Sequence, residues 1–387
     1  MKKVYADNSS TSFPKAPGVS DAIKDFLDNG AYNINRGGYA GSYDVAMDIL
    51  ETRQKIADMF HASSPQEVIF TPSATYSLNM LLQGLLKKGD HVITTSMEHN
   101  AVMRPLHALS KMDVTYDVVA CGVDGSLKID DIVQLIKKET KAIVMTHASN
   151  VCGAIMPIEA VSEIRRQHNL RFIIDAAQTA GVLEIDASAI DALVFTGHKG
   201  LMGPQGIGGF IIKKDFAKEI TPLIAGGTGS LSHKFEQPGI LPDKFEPGTM
   251  NIPAILGLKK AIEYINSVGI KEIRKKEIAL TSAFISKVQG IDGVNIIGKK
   301  DSVNRIAVVS LDFPKNDNAL IAAKLDENYG IMTRCGLHCA PNAHKTLGTY
   351  PHGTIRFSFG CFNTMDEVEY IAQSISEILN PTPVYCF

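Results

Sequence analysis

The chain has 387 residues, of which 45% are hydrophobic and 21% are charged. These proportions exclude a disordered, collagen-like or coiled-coil chain, and a prior of roughly 150 residues per domain predicts two or three domains. The 39 basic and 41 acidic residues leave a formal net charge of -2, so no basic excess indicates a nucleic acid or an anionic membrane as partner.

Short β-rich runs and longer amphipathic segments alternate along the first two thirds of the chain. Strands are predicted at 68–70, 91–96, 114–120, 142–149, 172–175, 192–196 and 209–213. Helices are predicted at 42–60, 76–86, 130–138 and 158–168. Several of the strands are apolar on both faces, as buried parallel strands are. The alternation therefore predicts an α/β domain with a mainly parallel seven-stranded sheet, whose ligands bind at the carboxyl ends of the strands.

The last third of the chain has a different composition. The segment 226–253 contains Gly-Gly-Thr-Gly and four prolines, which predicts a loop-rich crossing. Helices are predicted at 255–267 and from about residue 271. The remaining elements, which predict a smaller α+β unit, lie at 294–297, 306–313, 319–327, 354–359 and 366–379.

Three features of the sequence favour a cytoplasmic location. The longest apolar runs, such as 142–145 and 172–174, are far shorter than the roughly 18 residues that span a bilayer. Lys2 and Lys3 are followed by the polar segment 7–12 rather than by the apolar core of a secretory signal. Six cysteines are too few for a disulfide scaffold in a chain of this length.

Lys199 is the first candidate catalytic residue. It ends the motif Thr-Gly-His-Lys (196–199), directly after an apolar strand. Partial burial at a strand end lowers the pKa of a lysine and exposes a free amine, which suits Schiff-base chemistry. A lone lysine is usually an ordinary surface residue, so this hypothesis depends on the neighbours of Lys199.

Asp175 supplies a second part of the same pattern. It ends the predicted strand at 172–175, and Gln178 lies about one helical turn further along. A carboxylate at this place can pair with the protonated pyridine nitrogen of pyridoxal phosphate, although by itself it could equally cap the following helix. Because the lysine and the aspartate occupy compatible strand ends, the pair favours the cofactor interpretation.

A turn and a histidine could complete a cofactor site. The turn Phe-Thr-Pro-Ser-Ala-Thr (70–75) offers free backbone N–H groups at a helix start and the Thr75 hydroxyl, which suit a phosphate. Taken alone this signal is weak, because many helices begin with Ser or Thr. His99, in Met-Glu-His-Asn (97–100), offers a flat ring that could stack on a cofactor, although a lone histidine is more often structural. The glycine-rich run 203–209 resembles a dinucleotide fingerprint but leads into a strand instead of opening a helix, which excludes that motif.

The smaller unit contains a further group of reactive side chains. The motif Met-Thr-Arg-Cys-Gly-Leu-His-Cys-Ala-Pro spans 332–341, and a thiol beside His338 and near Arg334 would lie in electropositive surroundings that favour the thiolate. The alternative is zinc ligation by Cys335, Cys339 and either His338 or His344. The region lacks a Cys-x-x-Cys pair, so no metal is expected. Arg356, in the predicted strand at 354–359, could bind a substrate carboxylate through its planar fork or could form a surface ion pair.

Together these motifs resemble those of the pyridoxal-phosphate-dependent cysteine desulfurases of the class V aminotransferase superfamily, in the group that also contains selenocysteine lyases. The resemblance extends from Tyr-Ala-Asp-Asn-Ser-Ser-Thr (5–11) to Phe-Asn-Thr (362–364). The most specific motifs are Thr-Gly-His-Lys, Asp-Ala-Ala-Gln (175–178), Ser-Asn-Val-Cys-Gly (149–153), Phe-Glu-Pro-Gly-Thr (245–249) and Arg-Cys-Gly-Leu-His-Cys-Ala-Pro (334–341).

The resemblance implies a fold and an assembly. The fold is the PLP-dependent transferase fold of type I, with a large domain at 16–255 and a small domain formed by 1–15 and 256–387. The assembly is a homodimer with its active sites at the subunit interface. The compact Leu-His-Cys-Ala-Pro loop (337–341) resembles the desulfurase subtype that has a short, ordered cysteine loop.

The resemblance also implies a role for each site residue. Lys199 would be the Schiff-base lysine for pyridoxal 5'-phosphate, His99 would stack on the ring beside the reacting atoms, and Cys339 would accept sulfur as a persulfide. Asp175 would pair with the pyridine nitrogen and Gln178 with the ring oxygen. The phosphate would be held by Ala74, Thr75, Thr196 and His198, and by Thr249 of the second subunit. The substrate L-cysteine would be bound by Asn150, Arg334 and Arg356.

Two positions depart from the usual family pattern. The phosphate turn reads Ser-Ala-Thr (73–75) where Gly-Thr-Thr is usual, which removes one hydroxyl. Cys335 stands where Thr or Ser is common, and we expect it to fill a small apolar slot rather than to have a second redox role.

The expected reaction is the conversion of L-cysteine to L-alanine, with sulfur passed through Cys339 to an acceptor protein, as in iron–sulfur cluster assembly. A selenocysteine lyase and a cysteine or cystine C–S lyase would share the cofactor site, so only the use of Cys339 separates these alternatives. An aminotransferase would have no need of the Arg334–Cys339 group. A catalytically silent scaffold would predict a damaged Lys199 or Asp175, and both residues are intact.

Overall fold

The computed structural model describes residues 2–34 and 37–381. The strands are β1 Val4–Tyr5, β2 Val68–Thr71, β3 His91–Thr95, β4 Thr115–Val119, β5 Thr140–Thr146, β6 Arg171–Asp175, β7 Ala192–Thr196, β8 Gly208–Ile212, β9 Asn295–Ile297, β10 Val308–Asp312, β11 Ile331–Met332, β12 Arg334–Gly336 and β13 Thr354–Ser358. The helices are α1 Val19–Asn29, α2 Ala40–Met59, α3 Ala74–Leu85, α4 Asn100–Ser110, α5 Ile129–Gln134, α6 Ile158–Gln167, α7 Lys214–Glu219, α8 Ile252–Val268, α9 Ile270–Val288, α10 Asn318–Tyr329, α11 Pro341–Thr346 and α12 Met365–Leu379. None of the described helices is long and apolar enough to cross a membrane.

Seven strands form the large sheet, in the order β2-β8-β7-β6-β5-β3-β4. The neighbouring strands in β7-β6-β5-β3-β4 all pair in parallel. Strand β8 runs antiparallel to both of its neighbours, β2 and β7. Each of the seven predicted strands is present, so the prediction of a mainly parallel seven-stranded sheet is confirmed. The parallel connections place the carboxyl ends of β3, β5, β6 and β7 along one edge of the sheet.

Both faces of the large sheet are buried, which explains strands that are apolar at every position. Ile143 and Met145 of β5 lie in a core with α1, α2, α6 and α8, whereas Ala142 and Val144 lie in a second core with α3, α4 and α7. Successive side chains of a strand point to opposite faces, so a sheet covered by helices on both sides needs apolar residues at odd and even positions alike.

The smaller unit is an antiparallel sheet of four strands in the order β12-β13-β10-β9. Helices α9, α10 and α12 pack against it, and β1 pairs in parallel with β11, which brings the N-terminal segment to this unit. The boundary expected after residue 255 falls inside α8, whose side chains pack in a core of the large sheet. The division into two domains stays a prediction.

Several helices differ from the sequence-based expectation: α1, α4, α7 and α11 were not predicted, and α5 is shorter than predicted. Helix α4 was not predicted, because Pro105 lies inside it and proline usually ends a helical pattern. Helix α5 ends at Gln134 although a helix was predicted to 138. The Thr140 hydroxyl accepts a hydrogen bond from the Lys137 N–H at 2.7 Å, and this turn leads the chain directly into β5 instead of continuing the helix.

Candidate active site

Lys199 lies just beyond the carboxyl end of β7, in a turn fixed by its neighbours. A Cβ at Gly197 would lie 2.8 Å from the Ile207 side chain and 3.0 Å from the Ile207 carbonyl oxygen, so a larger residue there would displace Ile207. The His198 carbonyl accepts hydrogen bonds from the Ser12 N–H at 2.8 Å and the Thr11 hydroxyl at 3.1 Å. These bonds tie the N-terminal segment to the lysine turn.

The electrostatic surroundings of Lys199 make its amine easier to deprotonate. Burial lowers the pKa of Lys199 to about 8; the Asp175 carboxylate opposes this shift, and Arg356 and Arg334 reinforce it. A neutral amine is the form that attacks a carbonyl or accepts a proton. The predicted reactive lysine therefore lies in surroundings suited to that chemistry.

Asp175 is the last residue of β6 and is buried. Its Oδ1 accepts a hydrogen bond from the Ala177 N–H at 2.9 Å. Burial raises the pKa of Asp175, against the opposing effects of the Ala177 N–H and the Lys199 charge. A carboxylate in this setting gains from a cationic partner, because a buried charge needs a charge or hydrogen bonds to offset its lost hydration.

Glu98 is a buried carboxyl that the sequence analysis did not assign to the site. Its Oε1 accepts hydrogen bonds from the Thr95 hydroxyl at 2.5 Å and the Thr146 N–H at 3.0 Å, so it joins the carboxyl ends of β3 and β5. Its Oε2 is buried and has no hydrogen-bond partner among the described residues. Burial raises the pKa of Glu98 to about 8 against those two hydrogen bonds, and the charge of Asp175 adds to the increase. A glutamate directly after an apolar strand was the signal available in the sequence.

His99 caps helix α4 and is held as a neutral ring. Its Nδ1 accepts a hydrogen bond from the Ala101 N–H at 3.0 Å, so the proton of the neutral ring is on Nε2. Burial lowers the pKa of His99 to about 4, with Lys199 and Arg334 acting in the same direction. His99, Thr75 and Cys339 line one open cavity of about 340 Å³.

The predicted phosphate turn is the N-terminus of α3. Ser73 caps this helix by accepting a hydrogen bond from the Tyr76 N–H at 3.2 Å. Ala74 and Thr75 are the first residues of the helix, so their N–H groups have no acceptor within it. Such N–H groups, together with the helix dipole, favour an anion.

Cys339 lies on the short loop between β12 and α11 and is exposed. Arg334 Nη2 donates a hydrogen bond to Cys339 Sγ at 3.7 Å, and Arg334 Nη1 donates to the Ser10 hydroxyl at 2.9 Å. Partly buried Cys335 packs against the apolar core of the smaller unit, as expected for a residue that fills a small slot. Cys386 lies outside the described residues.

The expectation that His338 adds positive charge beside Cys339 is wrong. His338 is buried, and its Nε2 bonds to the Thr354 hydroxyl at 3.0 Å. Burial lowers the pKa of His338 to about 2, and the nearby charge of Arg356 adds to that decrease. His338 is therefore neutral at pH 7, and Arg334 is the cation that contacts the thiol.

Arg356 is buried rather than engaged in a surface ion pair. Its Nη2 donates to Asp7 Oδ1 and to the Ser10 hydroxyl, both at 2.8 Å, and its Nη1 donates to the Asn150 carbonyl at 3.1 Å. Its Nε is buried without a hydrogen-bond partner in residues 2–34 and 37–381. The pairing with Asp7 was not predicted, and it fixes the orientation of the guanidinium.

The other predicted site residues lie in different surroundings. Gln178 Nε2 donates to the Ser9 carbonyl at 3.1 Å, and Gln178 and Lys199 line one narrow cavity. Thr196 is buried at the end of β7. Thr249 is exposed and lines a groove with Thr71 and Pro72 of the predicted phosphate turn. The described part of the chain contains no group of three or more side chains that could hold a metal ion.

The chain matches the family model for class-V aminotransferases over residues 4–371. It belongs to the class-V aminotransferase family. Two similar relatives are each described as a probable cysteine desulfurase: one from Methanothermobacter thermautotrophicus is 32% identical, and one from Pyrococcus abyssi is 33% identical, each over 97% of this chain and 94% of the relative. The apo structure of a cysteine desulfurase from Thermococcus onnurineus NA1 has a TM-score of 0.91 and 31% identity, and covers 97% of this chain and 94% of that chain.

These matches confirm the predicted family and the PLP-dependent transferase fold of type I. The relatives and structural neighbours of this chain named by these matches are cysteine desulfurases. The family implies a pyridoxal 5'-phosphate cofactor, so the site residues can be tested for their fit to that group.

The residues at the strand ends fit pyridoxal 5'-phosphate. The buried Asp175 carboxylate suits a pyridinium nitrogen, and the Lys199 amine suits attachment to an aldehyde. His198 Nδ1 is buried, and it has no hydrogen-bond partner in the part of the chain that the structure describes. Together with the N–H groups that open α3, it provides donors suited to a phosphate.

Proposed function

We propose that this protein is a pyridoxal-phosphate-dependent cysteine desulfurase, which converts L-cysteine to L-alanine and receives the sulfur on Cys339. The observation that carries the proposal is the exposed Cys339 thiol, which lines one cavity with His99 and Thr75 and contacts Arg334. An enzyme that only moves amino groups has no use for a nucleophilic thiol at this place. The Lys199 and Asp175 pair supports the cofactor part of the proposal.

The residues of the site have separate tasks when the cofactor is held. Pyridoxal phosphate, once bound, supplies an electron sink for negative charge at the substrate α-carbon. It would be held by Lys199 through a covalent bond, by Asp175 at the ring nitrogen, by Gln178 at the ring oxygen, by His99 on the ring face and by Ala74, Thr75, Thr196 and His198 at the phosphate. Arg356 and Asn150 would bind the substrate carboxylate, and Arg334 would lie beside the substrate side chain.

Proton transfer falls to Lys199 and sulfur transfer to Cys339. The neutral amine of Lys199 accepts the α-proton and can return a proton to the product, because its lowered pKa of about 8 lies near neutral pH. The Cys339 thiolate attacks the substrate sulfur: the new S–S bond forms as the Cβ–S bond breaks, and the electron pair of that bond remains with the carbon. Protonation of this carbon completes alanine, and the persulfide stays on Cys339.

We propose further that the enzyme acts as a cytoplasmic homodimer and passes its sulfur to an acceptor protein. The exposed position of Cys339 supports transfer to a second protein. The exposed position of Thr249 supports a contribution to the partner's site.

Incubation of the purified protein with L-cysteine and a thiol reductant tests the proposal. Alanine and sulfide should form in equal amounts, and pyruvate should not accumulate. Formation of pyruvate in place of alanine would instead indicate a C–S lyase. The bound cofactor should give a visible absorption band that borohydride treatment removes. A purified protein without such a band would contradict the cofactor assignment.

A further inference from the structure

The loop that carries Cys339 has an unusual backbone conformation. His338 and Cys339 have φ angles of 49° and 58°, so two successive residues with side chains lie in the left-handed region. This region is unfavourable for residues other than glycine, and it persists only when the surroundings fix it. The loop therefore needs contacts that hold it in place.

Two hydrogen bonds hold the carbonyl groups of these two residues. Asn150 Nδ2 donates to the His338 carbonyl at 2.7 Å, and the Asn100 N–H donates to the Cys339 carbonyl at 2.7 Å. The second bond comes from the backbone at the start of α4, next to His99. Of these two hydrogen bonds, only the one from Asn150 has a side-chain donor and can be removed by replacing a residue.

Asn150 is itself fixed by the smaller unit. Its carbonyl accepts a hydrogen bond from Arg356 Nη1 at 3.1 Å, and the next carbonyl, that of Val151, accepts one from the Ser310 hydroxyl at 2.7 Å. Asn150 and Arg356 are both buried, so water competes little for these bonds. A continuous chain of contacts thus runs from Arg356 through Asn150 to His338.

We propose that Asn150 is a positioning residue for Cys339, whose side-chain amide holds the nucleophile loop in its left-handed conformation. A side-chain amide has two N–H donors, and one is used by the His338 carbonyl. The other is available for a substrate carboxylate, so one residue joins carboxylate binding to the placement of the sulfur acceptor. The kinetic consequence rests on the proposed function, whereas the effect on the loop does not.

Hydrogen exchange of the holoenzyme, followed by mass spectrometry of peptides that cover 334–341, tests this role. Asn150→Asp keeps the side-chain shape but replaces the amide donor by a carboxylate. Asn150→Ala removes the donor without introducing a charge. We expect the Ala340 amide, which donates to the Leu337 carbonyl at 2.8 Å, to exchange roughly tenfold faster in both variants because local opening becomes easier. Alanine formation should fall in both variants, and the fall in kcat should persist at saturating L-cysteine.

Ser310→Ala is the matched control. It removes the hydrogen bond to the Val151 carbonyl in the same segment, but no contact with the nucleophile loop. We expect its exchange at 334–341 to match that of the unmodified protein. Unchanged exchange in both Asn150 variants would overturn the proposal, as would an equal increase in Ser310→Ala. If the unmodified protein forms no alanine but the Asn150 variants show the predicted exchange, only the proposed function is contradicted.

Discussion

At the scale of single residues, the site contains two buried carboxyl groups, and burial raises the pKa of both. The Lys199 charge opposes this rise at Asp175, whereas the Asp175 charge adds to it at Glu98, whose pKa of about 8 keeps it mainly protonated at pH 7. The groups that interact electrostatically with Glu98 are Asp175 on β6 and Cys121 beyond β4. A neutral Glu98 avoids a second negative charge beside Asp175, which favours the proposed pairing of Asp175 with the cofactor.

Replacement of Glu98 by Gln should make the stability of the protein less dependent on pH. The pKa of Glu98 is raised from 4.5 to about 8, so the folded protein keeps a proton that the unfolded chain releases above about pH 4.5. The free energy of unfolding therefore falls as the pH rises from about 5 to 8, by up to about 1.4 kcal/mol per pH unit. Gln is neutral throughout and lacks this loss. We expect the Tm of Glu98→Gln minus that of the unmodified protein, measured by calorimetry, to be more positive at pH 8 than at pH 5. A Tm difference that does not change between these pH values would mean that Glu98 is ionised in the folded protein throughout this range.

At the scale of elements, the close packing of β8 explains the glycine-rich run before it. A Cβ at Gly208 would lie 2.8 Å from the Phe195 carbonyl oxygen and 3.1 Å from the Ser73 carbonyl carbon. Strand β8 therefore passes directly against the turn that opens α3. Gly208 thus serves strand packing beside the proposed phosphate site, and the run leads into β8 rather than opening a helix as a dinucleotide fingerprint does.

Gly208→Ala should weaken cofactor binding. The added methyl group would displace the Ser73 backbone, because its neighbours are main-chain atoms that cannot rotate away. We expect the equilibrium dissociation constant for pyridoxal phosphate to rise roughly tenfold or more, as loss of about 1.4 kcal/mol would produce. Titration of apoprotein, followed by the visible band, measures this constant. Gly239→Ala, where a Cβ meets no atom within 4 Å, is the control and should bind normally.

The seven strands of the large sheet were predictable from the sequence, whereas the contacts between the candidate site residues were not. Runs such as the one that forms β5 are apolar at odd and even positions, so local pattern was enough to predict them. The bonds from Asn150 to His338 and from Arg356 to Asp7 join residues 188 and 349 positions apart, and no local pattern reports such pairs. The charge of His338 was equally inaccessible: His338 was expected to add positive charge beside Cys339, but burial in the folded chain lowers its pKa to about 2 and makes it neutral.

At the scale of the whole molecule, Thr249 lies on an anchored segment that faces outwards. Glu246, three residues earlier, forms a buried ion pair with Arg53 at 2.5 Å and accepts a hydrogen bond from the Phe70 N–H at 2.6 Å. These contacts fix the motif at 245–249 against β2 and leave the Thr249 side chain exposed. An exposed residue on a fixed segment can contribute to the site of a partner subunit.

Mixing two impaired variants tests whether the site is shared. A Thr249→Ala subunit and a Lys199→Ala subunit should form hybrid dimers in which one of the two sites has both native residues. We expect the mixture to recover a substantial part of the native rate of alanine formation after subunit exchange, which native mass spectrometry can verify. Mixtures no more active than their parents, despite verified exchange, would place all phosphate ligands of a site within one chain.

The proposed function depends most on Cys339 as the acceptor of sulfur. The most direct test is the activity of Cys339→Ala toward L-cysteine and L-selenocysteine, with Cys335→Ala as control. Sulfide is a poor leaving group without a thiolate to receive the sulfur, whereas the C–Se bond is weaker and the selenol is largely ionised at neutral pH. We predict that Cys339→Ala nearly loses alanine formation from cysteine, keeps much of its activity toward selenocysteine, and that Cys335→Ala keeps both. Undiminished alanine formation from cysteine by Cys339→Ala would contradict the persulfide mechanism.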